Sequence, residues 1–243
     1  MKKFAVIVFL LAFSGPAFAQ FEHPDLKSGK KQVRGIVLMP IEAVMGKFTV
    51  KSDFHWGFEK PRDYLEAESR QVEKDLTPLI TEVFRSLNCT VNDTALAPVE
   101  LAKNAALQST QQELQQQVDA LLLRLTYHED DVRKGKASLG ESVSKLQVGS
   151  GSDALVFVRA LGQILSGGRR AMNILGGADS SDSWRMWIIV VDARTGDVLY
   201  FAEPQGRYNL AQDTAKSRPV IEKSFKNFLK ANTPSADAKK TGS

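Results

Sequence analysis

The chain has 243 residues, of which 32 are Lys or Arg and 28 are Asp or Glu, and its formal net charge is +4. Without Lys2 and Lys3, which belong to a leader read below as cleaved, the balance falls to +2. This excludes the clustered positive field that nucleic-acid binding requires. A single cysteine, Cys89, excludes an internal disulfide, so a hydrophobic core must hold the fold, and about 220 residues can bury roughly 70% of their unfolded surface in one large domain.

Residues 1–19 read as a secretory signal peptide: Lys2 and Lys3, the apolar run "FAVIVFLLAF" at 4–13, Gly15-Pro16, and the small-x-small pattern Ala17-Phe18-Ala19. Cleavage is expected near Ala19-Gln20, delivering the mature chain to the periplasm or the exterior, with association at the outer membrane as one destination. The apolar run is about half of the roughly 20 residues that span a bilayer as a helix, and no later run is long enough, so the mature chain is expected to have no transmembrane helix. Because no cysteine follows the apolar run, a lipid anchor is not expected either.

Residues 20–32 read as a polar leader, 33–231 as a single α/β domain and 232–243 as a disordered tail. "VRGIVLMPI" at 33–41 is a strand buried on both faces, and 42–60 is a loop with at most a short edge strand at Phe48-Thr49-Val50. From 61 to 87, Leu65, Val72, Leu76, Leu79, Ile80, Val83, Phe84 and Leu87 form one helical stripe, continuous across Pro78, where a kink is expected. "CTVND" at 89–93 reads as a short strand. A helical region then runs to about Thr126, with Leu114, Val118, Leu121, Leu122 and Leu125 on one face and glutamines on the other. "YHEDDVRKGKA" breaks that pattern, and "SLGESVSKLQVGSGS" reads as a short helix ending in glycines.

The most strand-like segments follow, at 153–161, 183–192 and 196–203. The last two are joined by "ARTG", where Gly196 suits the positive φ of a tight hairpin connection. An amphipathic helix over 210–229 closes the domain. The fold class is α/β: a single mixed sheet packed with amphipathic helices, ending in a β-hairpin and a C-terminal helix.

Several segments mimic sites without the context that gives such motifs meaning. "GSGSDA" at 149–154 matches a dinucleotide fingerprint, but its glycines follow a helix and open a strand, the reverse of what pyrophosphate binding needs. "SGGRRAMNILGG" lacks the Gly-Lys-Ser/Thr ending of a phosphate loop. His23, His55 and His128 lie far apart, and His128 with Asp131 would supply only two of the three or four ligands that zinc requires. Cys89 has no histidine near it in sequence and no G-x-S-x-G elbow exists. Glu66, Glu68, Glu73 and Asp75 alternate with basic residues as a solvated helix face. No cofactor and no catalytic or metal-binding residue is therefore assigned.

What remains is the long connection at 162–183, whose Ile164, Leu165, Met172, Ile174 and Leu175 are too apolar for a flexible linker. It is expected to be a mobile or edge-packed excursion. Arg169, Arg170, Met172, Ile174 and Leu175 are its candidate contacts with a protein partner or with lipid headgroups.

Ser152-Asp153-Ala154-Leu155 and Val191-Asp192-x-x-Thr195-Gly196-x-Val198, set in this order of strands and helices, resemble the α/β domain of CsgG-like curli-secretion proteins, the TolB amino-terminal domain and related small envelope lipoproteins. The resemblance covers most of the mature chain. It implies a periplasmic module, usually non-enzymatic, that assembles with itself or with other envelope proteins; some relatives form pores through membrane hairpins. This chain lacks the lipid-bearing cysteine, and 162–183 does not alternate as a membrane hairpin would. The expected function is a non-catalytic, exported envelope interaction domain. Two alternatives stay open: a secreted hydrolase or metal-dependent enzyme with a dispersed site, and a ligand-binding protein using 162–183.

Overall fold

The computed structural model describes residues 19–49, 63–92, 105–128, 130–146 and 151–232. The expected signal peptide and C-terminal tail lie outside the described residues, apart from Ala19 and Asn232 at their inner ends.

One eight-stranded mixed sheet runs in the order β1, β7, β6, β5, β2, β4, with β3 beside β5 and β8 beside β6. Its strands are β1 (Ala19–Glu22), β2 (Gly35–Leu38), β3 (Glu42–Phe48), β4 (Thr90–Val91), β5 (Ala154–Leu165), β6 (Ser183–Asp192), β7 (Val198–Glu203) and β8 (Gln205–Gly206). β5, β6 and β7 pair antiparallel, whereas β2 and β3 run parallel to β5 and share its other edge, β2 along 154–156 and β3 along 159–165. The near-continuous apolar runs of β5 and β6 fit this position, because both faces of the sheet are covered.

Alternation along these strands divides the interior. Ala154, Val156, Val158, Ile188 and Val190 face a core completed by α2 (Glu66–Ser86) and by the C-terminal helices α6 (Arg218–Ser224) and α7 (Lys226–Asn232). Leu155, Phe157, Ile189 and Val191 face a second core, completed by Leu114, Val118, Leu121, Leu122 and Leu125 of α3 (Ala105–Tyr127). On the first face Phe84, Tyr200, Phe225 and Phe228 stack as an aromatic cluster, with Tyr200 Oη donating to the Ser224 carbonyl at 2.7 Å. Burial pushes the Tyr200 phenol well above its ordinary pKa.

Several expectations need correction. The stretch 20–32 is part of the domain: it carries most of β1, which pairs with β7, and α1 (Pro24–Lys27), whose Leu26 is fully buried. The expected loop at 42–60 begins with the seven-residue strand β3. Lone glycine and charged residues obscure its period, yet Ala43 and Met45 alternate into the core. As the stripe continuous across Pro78 led one to expect, α2 runs through that proline as a single helix. The "YHEDD" break holds a short helix, α4 (Asp130–Arg133). The closing helix over 210–229 is a 3-10 turn at Thr214–Ser217 followed by α6 and α7, interrupted at Phe225 so that both Phe225 and Phe228 reach the core.

The connection 162–183 holds a short helix at the edge of the domain, in keeping with an edge-packed excursion. β5 continues to Leu165, and Gly167–Leu175 form a helix, α5, at the far end of the β5–β6 hairpin.

Candidate functional site

α5 begins where Ser166, extended at φ −66° and ψ 158°, accepts a hydrogen bond from the Arg169 amide through its hydroxyl. A serine cap supplies an acceptor for an amide that has no partner within the first turn. The helix ends at Gly176, and Gly177 with φ 69° turns the chain back toward β6. The paired glycines at the end therefore form a helix stop, and no phosphate cradle.

The helix is fastened by its polar side. Arg170 donates through Nε to the Leu165 carbonyl at 3.1 Å and through a terminal nitrogen to Asp182 Oδ1 at 2.7 Å; the same carboxylate oxygen accepts from the Leu165 amide at 2.8 Å. Asn173, three residues on, donates its amide to the Asp179 carbonyl, while Asp179 itself pairs with Arg207 at 3.1 Å. A hydrogen bond from the Ser181 amide holds the Asp179 carboxyl below its ordinary pKa.

Arg170 makes these bonds while remaining exposed and Asn173 is half-buried, and the apolar residues of the helix stand in solvent too. Met172 is 52% exposed, Ile174 66% and Leu175 88%, and no residue of α5 is buried. A surface helix ordinarily hides its apolar stripe; α5 leaves its apolar residues exposed. The five candidate contact residues are thus brought together on one helix, but they divide. Arg169 makes no ion pair among the described residues, whereas Arg170 is held by Asp182 and does not stand free for a headgroup.

The other sequence motifs serve the fold. Asp153 Oδ2 accepts from the Arg34 amide at 2.8 Å and the Gly35 amide at 2.9 Å, and Gly151 adopts φ 114° beside Gly35, where a side-chain carbon would lie 1.9 Å from the Gly151 carbonyl oxygen. Asp192 Oδ1 accepts from the Arg194 and Thr195 amides, and Gly196 has φ 78°, which together make the turn between β6 and β7; Lys31 pairs with the other oxygen of Asp192.

Asp131 is taken by Arg124, Glu73 accepts from the Ala43 amide, and Glu66 pairs with Arg70. His23 caps α1, and His55 lies outside the described residues. Among the described residues no cluster of three or more His, Cys, Asp or Glu side chains could hold a metal ion. The Cys89 thiol is buried and donates to the Val33 carbonyl, and desolvation, with Asp153 nearby, pushes its pKa up to about 11. A thiol so protonated is a poor nucleophile.

Sequence reading missed Arg159, only 3% exposed on β5. Its side chain reaches Asp119 at 2.8 Å, Glu42 at 3.2 Å and the Gln115 side chain, tying α3 to β5 and β3. The available signal was a lone charge inside the apolar run "ALVFVRAL". Burial raises the Glu42 pKa, and Arg159 opposes that shift.

No family model and no curated relative matches the chain. The crystal structure of lipoprotein GNA1162 from Neisseria meningitidis aligns with 78% of this chain and 97% of its own at 12% sequence identity, with a TM-score of 0.32.

Proposed function

We propose that this protein is a non-catalytic, exported envelope domain whose work is contact, and that α5 is the contact element. The observation that carries the reading is a helix bonded to the domain through Arg170 and Asn173 whose Met172, Ile174 and Leu175 stand exposed. Export is supported by the signal-like first 19 residues. Assembly with envelope components is what the resemblance to CsgG-like and TolB amino-terminal domains implies. The periplasm is the compartment this reading expects.

The energetics favour an occupant. Burying a Met, Leu or Ile side chain fully is worth about 1.5–3 kcal/mol, so covering three that stand half to nine-tenths exposed would contribute on the order of 4 kcal/mol to an association. Photo-crosslinking in the native envelope from position 172 or 175, compared with a variant in which 166–177 is a Gly/Ser linker, tests the reading. The variant is expected to keep its Tm within a few degrees and to lose the crosslinked species. An unchanged crosslinking pattern refutes the docking role, and stoichiometric zinc in the purified protein overturns the non-catalytic one.

A further inference from the structure

Resting on α5 as the contact element, we infer that the surface it meets is an anionic lipid bilayer, to which it binds peripherally and reversibly. Size decides first. α5 has nine residues, so at about 1.5 Å rise per residue it is about 14 Å long, and its outward side is a small patch. A stable protein–protein interface takes about 800 Å² from each partner. A second copy docked through α5 alone would fall far short of that. A bilayer has no such threshold, because a few apolar side chains entering the headgroup boundary and a few nearby cations act together.

Charge decides next. α5 contains two arginines and no acid. Of the described acids at this end of the hairpin, Asp182 is neutralised by Arg170 and Asp179 by Arg207. Arg169 remains without an ion pair among the described residues. So does exposed Lys47, which lies opposite Ile164 in the β3–β5 register. Uncompensated cations beside an outward apolar face complement a negative, oily surface. An acidic protein groove would need the larger area.

The geometry suits shallow insertion. The apolar residues cluster in the second half of the helix, at 172, 174 and 175, followed by Gly176 and Gly177, while Arg170 and Asn173 keep the helix bonded to the domain. Leu175, the most exposed, would enter deepest. Such a contact is one weak signal, and stable anchoring normally takes two, so it should come and go with lipid composition and salt.

Vesicle cosedimentation of the purified protein tests this. It is expected to sediment with phosphatidylcholine vesicles containing phosphatidylglycerol, far less with phosphatidylcholine alone, and less as salt is raised. Arg169→Glu and the pair Ile174→Ser with Leu175→Ser should each weaken binding about tenfold or more at an unchanged Tm, since these side chains lie outside the core. Absence of sedimentation with anionic vesicles, equal binding to both lipids, or variants that bind as well as the parent would each overturn the inference. If the envelope crosslinks from α5 persist while vesicles are ignored, the occupant is a protein and only the lipid assignment fails. If neither occurs, the docking reading falls with it.

Discussion

Removing the Asp153 carboxylate should loosen the central parallel pair, and the size of the effect follows from what its Oδ2 holds. That oxygen accepts from two backbone amides, Arg34 and Gly35, at the start of β2. In Asp153→Ala the Arg34 amide, on an exposed residue, regains water. The Gly35 amide, on a buried residue, does not, and leaving such a donor without a partner costs about 1–3 kcal/mol beyond the lost charge-assisted bonds of about 1.5–3 kcal/mol each before rehydration. A net loss of about 3 kcal/mol is expected. For a domain of this size that is a Tm drop of about 6–12 °C, or a urea midpoint lower by about 1.5 M if m is about 2 kcal/mol per M. Asp153→Asn keeps an oxygen in place and loses only the charge, so about 1 kcal/mol should go. Urea unfolding followed by far-ultraviolet circular dichroism measures both. An alanine variant within about 0.5 kcal/mol of the parent, or an asparagine variant as damaged as the alanine one, would refute the assigned role.

Val190→Asp should abolish folding: Val190 is fully buried between β5 and β7, and an unpaired carboxylate there costs several kcal/mol of a margin of roughly 5–15. A cooperative melt at the parent's temperature would contradict the sheet assignment. The Cys89 thiol, raised from 9.0 to about 11 in the fold, favours the neutral form, so its stabilisation is whole below about pH 9 and is lost as pH rises toward 11. Stability of the parent should therefore fall more steeply over that window than stability of Cys89→Ala, and parallel curves would show that the thiol ionises freely in the fold.

Legibility in the sequence followed the strength of the period. β5 and β6 were readable because apolar runs that long have few other destinations, and α2 because its stripe persists across Pro78. β3 was not, since "EAVMGKF" hides a period of two behind Gly46 and its charged flanks, and its pairing with β5 is a tertiary choice no local signal records. β1 escaped for a related reason: four residues beside a leader become a strand only because β7 lies alongside. At α5 the five candidate contact residues could be picked out by composition, but their division could not. That Arg170 is tied down depends on Asp182, twelve residues away, and on the fold that places it there.

β5 is the hub that β2, β3 and β6 all need, and it arrives late: Gly35 meets Asp153 across 118 residues. Closing so long a loop costs chain entropy before any contact repays it, and topologies of this kind fold slowly. Among the described residues, until β5 has emerged β2 can pair only with the two-residue β4, and β3 has no strand to join. The sheet of the first half of the chain thus stays incomplete until residues 154–165 have been made.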